Sequence, residues 1–198
     1  MTFASRLGGW LFRQRTWLPL PLVAALLLLP AGPDAAGGPL WIMGALVVAV
    51  GEGIRLWAVH HIGAISRTRS DRLGPLVSSG PFALIRNPLY AGNILLWAGF
   101  AITAQLIWFV PVAIVLLALE YHAIVRWEEG LLAARIGQPY ERYVARVPRW
   151  LPSLSSRPET LAPAVAATFS WRETLFSERG TLIAIGAGFL LLWLKARF

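Results

Sequence analysis

Long apolar runs separated by short polar stretches dominate the chain. The runs occupy residues 17–31, 40–59, 88–104, 106–125 and 180–194. A helix needs about 20 mostly apolar residues to cross the hydrocarbon core of a bilayer, and it satisfies its own backbone groups there. The pattern therefore predicts an all-α, polytopic membrane bundle of about five apolar helices.

The first apolar run, WLPLPLVAALLLLPA, is shorter than a full span, and Arg13 and Arg15 limit its extension toward the N-terminus. A signal peptide is an alternative interpretation, because a basic start precedes an apolar core. The proline and glycine residues that follow do not form a clear small-residue cleavage site, so we favour a membrane segment.

Two runs lie almost end to end, since only Gln105 separates 88–104 from 106–125. Helices joined this tightly must pack antiparallel as a hairpin. An antiparallel pair returns to its starting level, so we expect the polar groups at its two ends to be neighbours. These groups are Arg86, Asn87 and Tyr90, beside Pro88, where the hairpin begins, and Arg126, Glu128 and Glu129 where it ends.

The run at 40–59 contains two charged residues, Glu52 and Arg55, three positions apart and so on one helical face. Charged groups at membrane depth are costly and usually face a partner or a cavity. We favour a structural ion pair that holds helices together over a catalytic role.

The segment 126–152 after the hairpin is amphipathic. Gly137 predicts the end of one helix, and Pro139 suits the first turn of the next. The second helix has Tyr140, Tyr143, Val144 and Val147 on one side and Glu141, Arg142, Arg146 and Arg149 around the other. A helix lying on an anionic membrane surface has the same pattern, and the two roles are compatible.

The composition favours lipid as a partner. The chain is 57% hydrophobic and 14% charged, with a net charge of +8. A basic surface suits nucleic acid or anionic lipid, and the long apolar runs favour lipid, so we expect no nucleic-acid partner. The lack of cysteine excludes disulfides and cysteine nucleophiles. The three histidines have no carboxylate or histidine at metal-ligand spacing, so no metal site is expected.

The distribution of arginine predicts an orientation. The N-terminus and the segments 60–87 and 126–157 are basic, whereas the loop 32–39 is not. By the positive-inside rule the basic segments are cytoplasmic, which places both ends of the hairpin at the cytosolic face of an inner or cytoplasmic membrane. The last run would then carry Lys195 outward, a poor fit, so whether it spans stays open. Nothing in the sequence indicates an oligomeric state.

The polar groups at the hairpin ends suit a cationic ligand. Carboxylates attract a cation, and aromatic faces such as those of Tyr90 and Phe82 add roughly 0.5–2 kcal/mol. S-adenosylmethionine, with its sulfonium and α-amino groups, fits this description. Arg86 or Arg126 is suited to bind a carboxylate of the cofactor or of a substrate. No phosphate-binding loop and no glycine-rich dinucleotide motif follows a strand.

Two stretches together resemble the isoprenylcysteine carboxyl methyltransferase family of membrane proteins, which is related to the phospholipid methyltransferases. GPLVSSGPFALIRNPLYAGN at 74–93 resembles L-V-x-x-G-x-Y-x-x-x-R-H-P-x-Y-x-G. EEGLLAARIGQPYERYVARVPRWLP at 128–152 resembles E-E-x-x-L-x-x-x-F-G-x-x-Y-x-x-Y-x-x-x-V-P. The resemblance covers about 40–152. It divides the chain into an N-terminal membrane segment and loop (1–39), a methyltransferase-like core (40–152), and a linker with a C-terminal apolar helix (153–198).

The resemblance implies an S-adenosylmethionine pocket at the cytosolic end of the hairpin, with a lipophilic acceptor entering from the bilayer. The implied cofactor residues are Gly74, Pro75, Leu76, Val77, Phe82, Asn87, Pro88, Leu89, Tyr90 and Glu128, with Arg86 at the rim. Asn87 replaces a histidine of eukaryotic members, Phe82 replaces a tyrosine, and Ile124 replaces a substrate-binding arginine. These departures argue against a strict prenylcysteine substrate.

We predict methyl transfer from S-adenosylmethionine to a lipophilic acceptor, with Arg126, Glu129 and Asn87 as the catalytic candidates. A carboxylate acceptor is favoured, because it is already ionised at neutral pH and needs no base. A lipid amine would need one, from Glu129, Glu120 or His122. The alternatives are an NADPH-dependent membrane reductase of the sterol reductase type and a non-catalytic membrane protein with this fold.

Overall fold

The computed structural model describes residues 3–30, 32, 38–63, 76–152 and 169–197. Within these ranges the chain is helical and contains no strand, which confirms the all-α prediction. The helices are α1 (Phe3–Gln14), α2 (Leu20–Leu28), α3 (Pro39–Ile62), a 3-10 helix (Gly80–Ala83), α4 (Pro88–Thr103), α5 (Phe109–Ile136), α6 (Gln138–Arg146) and α7 (Trp171–Lys195). By length and composition α3, α5 and α7 are able to cross a bilayer, and α4 is a shorter apolar helix.

The N-terminal region differs from the single apolar segment expected at 17–31. It forms two helices, and the break falls before Pro19, the residue preceding α2. Proline lacks an N–H donor and interrupts an extending helix. Helix α1 lies along α5, where the rings of Phe12 and Trp127 are 5.0 Å apart. The contact is close, because a Cβ on Gly8 would lie 2.8 Å from the Trp127 Cβ.

Helices α3 and α4 pack antiparallel through paired glycines. A Cβ on Gly51 would lie 2.8 Å from the Gly92 carbonyl oxygen, and one on Gly99 would lie 2.8 Å from the Gly44 carbonyl oxygen. Small residues let the backbones of membrane helices approach closely. The resulting van der Waals packing favours association in lipid, where there is no hydrophobic driving force between helices. This pairing fixes the level of α3 beside the start of α4.

The predicted hairpin of α4 and α5 is confirmed. Gln105 lies in the short connection with φ of 61°, and the Leu106 amide donates to the Ala101 carbonyl at 2.9 Å. Buried residues from both helices and from their connection form much of the main core, including Ala101, Leu106, Ala113, Leu117 and Ile124. Helix α5 continues to Ile136, well past the apolar run, so its last turns carry Glu128 and Glu129.

Helix α6 follows α5 after a single residue. Gly137 has φ of 66°, in the left-handed region that favours glycine, and α6 begins at the next residue with Pro139 in its first turn. Tyr140, Tyr143 and Val147 are buried as a small second core, as their spacing predicted.

Helix α7 begins well before the apolar run at 180–194. Ser170 and Glu173 form a capping box, in which each side chain bonds the backbone of the other, and this starts the helix at Trp171. The Trp171 ring stacks on His60 at 4.3 Å, and Phe189 contacts Trp41 at 5.3 Å, so α7 runs antiparallel to α3. It is long enough to cross a bilayer.

Candidate active site

The polar residues at the two ends of the hairpin lie in contact. The Tyr90 hydroxyl donates to Glu128 Oε1 at 3.0 Å, and Arg86 Nη1 donates to Glu129 Oε1 at 2.8 Å. The expected juxtaposition is therefore confirmed. We call the part of the bundle around Arg86, Tyr90, Glu128 and Glu129 the site end.

The first motif is held in place by α6 and the segment after it. The Tyr143 hydroxyl donates to the Phe82 carbonyl at 2.8 Å. The Arg86 amide donates to the Pro148 carbonyl at 2.9 Å, and Asn87 Nδ2 donates to the Arg149 carbonyl at 3.2 Å. Asn87 precedes α4 with a non-helical backbone, as expected before proline. Three hydrogen bonds thus connect residues about 60 positions apart in the sequence. They fix the segment that leads into α4, and so the position of Tyr90 in the first turn of that helix.

Arg149 completes an arginine pair around one carboxylate, and sequence reasoning missed it. Its Nε donates to Glu129 Oε1 at 3.0 Å and its Nη2 to Oε2 at 2.6 Å. The exposed fractions of the Arg86, Glu129 and Arg149 side chains are 11%, 16% and 29%. The hydrogen bond to Glu129 raises the pKa of Arg149, so this guanidinium stays charged. In sequence Arg149 resembled the solvent-facing arginines of α6, with no signal that singled it out.

The two tyrosines of α6 remain neutral hydroxyls near neutral pH. Burial raises the pKa of Tyr140 to about 12, and the Glu129 carboxylate contributes in the same direction. Burial also raises the pKa of Tyr143. Tyr143 is therefore available as a hydrogen-bond donor to Phe82 throughout the physiological range.

An aromatic pair lies beside Glu128. The ring centroids of Tyr90 and Tyr121 are 4.8 Å apart, with the planes tilted by 32°. Tyr121 was not among the predicted site residues. It lies seven positions before Glu128, hence two turns away on the same face of α5, and this spacing is the signal that pointed to it.

The remaining predicted residues fall into separate environments. Leu76 packs against α6, Phe82 and Pro88 are buried, and Val77 and Leu89 are half-buried. Gly74 and Pro75 lie outside the described residues. Arg126 is exposed and lines an open groove of about 490 Å³ between α5 and α6, together with Glu129, Tyr140, Glu141 and Arg149. The structure thus joins Glu128 to Tyr90 and places Arg126 at the edge of the Glu129 cluster.

The ion pair expected within α3 is present and extends to other helices. Arg55 Nε donates to Glu52 Oε2 at 3.2 Å. The same guanidinium donates to Asn93 of α4 and to Glu178 of α7, each at 2.5 Å. The pair therefore connects three helices, as a structural ion pair would.

The four residues that define the site end fall within the match to a known protein family. The family model described as Phospholipid methyltransferase matches residues 40–138, which is half of the chain. The chain belongs to the phospholipid methyltransferase family.

Membership places the protein in the superfamily of membrane methyltransferases to which the two motifs pointed. The match covers α3, the hairpin and both glutamates, Glu128 and Glu129, and it ends where α6 begins. Together with the apolar helices it identifies an integral membrane protein.

Two curated relatives of this phospholipid methyltransferase family member have names that refer to metal resistance. The nickel-cobalt-cadmium resistance protein NccN of Alcaligenes xylosoxydans xylosoxydans is 27% identical over 157 residues, 76% of this chain and 70% of the relative. The cobalt-zinc-cadmium resistance protein CzcN of Cupriavidus metallidurans is 31% identical over 113 residues, 57% of this chain and 49% of the relative. Those names say nothing about methyl transfer. No solved structure matches the chain significantly.

Proposed function

We propose that this membrane methyltransferase transfers a methyl group from S-adenosylmethionine to a lipophilic acceptor, with its site at the cytosolic face of the membrane. The observation that carries the proposal is the Tyr90–Glu128 hydrogen bond, which joins the two family motifs at the mouth of the hairpin. The basic residues of the site end support the cytosolic orientation by the positive-inside rule.

The side chains at the site end fit the charges of this cofactor. Glu128 presents a carboxylate to a sulfonium or ammonium group, with one oxygen engaged by Tyr90. The neighbouring Tyr90 and Tyr121 rings add cation–π attraction of about 0.5–2 kcal/mol. Arg86 Nε is buried and has no hydrogen-bond partner within the described part of the chain, so it is a donor suited to a ligand carboxylate.

S-adenosylmethionine, when bound, supplies an electrophilic methyl group. A lone pair of the acceptor would form the new bond to the methyl carbon as the carbon–sulfur bond breaks, and sulfur would keep the bonding electrons. The contribution of the protein is then to position the two reactants and to keep water out. We assign Tyr90 and Glu128 to cofactor binding. Glu129, which already accepts bonds from two arginines, would fix the Arg86–Asn87 segment rather than take a proton.

A carboxylate remains the favoured acceptor. Arg126 is exposed at the edge of the groove, where its planar guanidinium is free to bind a carboxylate through two bonds. An amine acceptor would require a base. Glu120, one oxygen of which is buried without a hydrogen-bond partner among the described residues, is the candidate for that role.

Calorimetric titration tests the cofactor assignment. S-adenosylmethionine and, separately, NADPH are titrated into the detergent-purified protein and its Glu128→Ala variant, with Glu141→Ala as the matched control. Glu141 is an exposed carboxylate of α6 that lines the same groove. We expect saturable S-adenosylmethionine binding that Glu128→Ala abolishes and Glu141→Ala retains. Well-folded wild type that binds NADPH instead, or neither ligand, would refute the proposal.

A second experiment separates the two acceptor classes. Transfer of labelled methyl groups is measured to bilayer lipids that carry a free carboxylate or a free amine. Arg126→Leu is expected to raise KM for the carboxylate acceptor only, whereas Glu120→Gln is expected to lower kcat for the amine only. Methylation of the amine alone, insensitive to Arg126→Leu, would remove the carboxylate assignment.

A further inference from the structure

We propose that Glu178 of α7 acts through Arg55 as a positioning residue for the Tyr90–Glu128 pair. Helix α7 would then be part of the methyltransferase site, although it lies outside the family match at 40–138. The inference deepens the proposed function and rests on it.

Glu178 is a carboxylate buried inside a membrane-spanning bundle. Its side chain is 2% exposed, and its Oε2 accepts from Arg55 Nη2 at 2.5 Å. Such a group is costly in the bilayer unless it is paired, and ionisable residues at membrane depth commonly serve a function. The pair joins α3 to α7 through two residues that are 123 positions apart in the sequence.

The side chain of Arg55 reaches α4 by crossing a glycine. A Cβ on Gly92 would lie 2.6 Å from Arg55 Cγ, so only glycine at this position leaves room for the arginine stem. Beyond Gly92, Arg55 Nη1 donates to Asn93 Oδ1 at 2.5 Å. The guanidinium therefore holds the carbonyl end of the Asn93 amide and fixes its orientation.

Asn93 passes this constraint to the site. It lies three positions after Tyr90 in α4, so the two side chains project from neighbouring positions on one face of that helix. The Tyr121 ring packs on Tyr90, which in turn donates to Glu128. Glu178 is thus connected, through Arg55 and Asn93, to the face of α4 that carries Tyr90, the partner of Glu128.

The series predicts that changes at Glu178 alter cofactor affinity without touching the cofactor. Binding of S-adenosylmethionine is measured calorimetrically for Glu178→Gln, Asn93→Leu and the double variant, with melting temperature recorded in parallel. Phe189→Ala is the matched control, because it weakens the packing of the same helix against Trp41 and Phe100 at the end opposite the site. We expect each single network variant to raise Kd roughly fivefold or more, while Phe189→Ala lowers the melting temperature with Kd unchanged.

The double variant tests whether the effect of Glu178→Gln on Kd depends on Asn93. If it does, Glu178→Gln adds nothing in the Asn93→Leu background, whereas independent effects multiply. Multiplied effects, or a Glu178→Gln variant that melts early with wild-type Kd, would overturn the inference while wild-type binding upholds the proposed function. Absent wild-type binding overturns both. If Glu178→Gln does not fold, Asn93→Leu alone removes the amide that Arg55 holds, and an unchanged Kd there is equally decisive.

Discussion

Glu129 offers a direct test of how the site end is held together. It accepts bonds from Arg86 and Arg149, whose neighbouring backbone and side-chain bonds attach the Arg86–Asn87 segment to Pro148 and Arg149. Glu129→Ala would leave two guanidinium groups facing each other without the carboxylate between them. We expect this variant to be clearly less stable than the wild type.

The expected size follows from the burial of the cluster. Removing one partner of a fully buried pair costs about 3–5 kcal/mol, and an exposed pair contributes about 0–1 kcal/mol. The exposed fractions of 11%, 16% and 29% place this cluster between those limits, nearer the buried one. An estimate of about 2–3 kcal/mol corresponds to a melting temperature lower by roughly 4–12 °C for a chain of this length. Glu129→Gln, which keeps one acceptor oxygen, should lose about half as much.

Thermal unfolding in detergent measures the effect, with Glu141→Ala as the control. Glu141 is exposed on α6, and its removal is expected to change the melting temperature little, since exposed surface groups contribute within about 0.5 kcal/mol. Equal shifts for the two variants, or a Glu129→Ala protein as stable as wild type, would show that the arginine pair is held by its backbone alone and would refute the reasoning.

Two further predictions concern helix packing and pH. Gly51→Ala should lower the melting temperature by an amount equivalent to about 1–3 kcal/mol, because its Cβ would meet the Gly92 carbonyl, whereas Gly53→Ala, with nothing within 4 Å, should be neutral or stabilising. Equal shifts would contradict the close packing of α3 and α4. Because the pKa of Tyr140 is raised to about 12, the unfolded chain ionises first and stability falls as pH rises above about 10. Between about pH 8 and pH 11 the loss should be smaller by about 1 kcal/mol in Tyr140→Phe, and melting curves at the two pH values that lose equal stability in both proteins would contradict the shift.

Local features of the sequence predicted much of the fold. The single residue between two apolar runs required a hairpin, and Gly137 with Pro139 marked the junction of α5 and α6. These signals depend only on the length of the connecting segment and on the backbone preferences of a few neighbouring residues. The same reasoning brought Tyr90 and Glu128 together, because the two ends of a hairpin must meet.

Helix boundaries that depend on several competing signals were less predictable. The first apolar run became the short α2 behind a separate α1, since proline interrupted it and α1 found a surface on α5. Helix α7 began earlier than its apolar stretch because the capping box at Ser170 and Glu173 outweighed the polar character of its first turns.

The sequence by itself therefore determined the membrane class, the hairpin and the pairing of the two motifs, because each follows from the spacing of residues along the chain. Only the tertiary structure decided which arginines serve which carboxylates. Arg149 and Glu129 are 20 positions apart, and Arg55 and Glu178 are 123 apart. Such pairs depend on how helices approach, here through Gly51 and Gly92, and on which rotamer the packed neighbours allow, so no local pattern of residues encodes them.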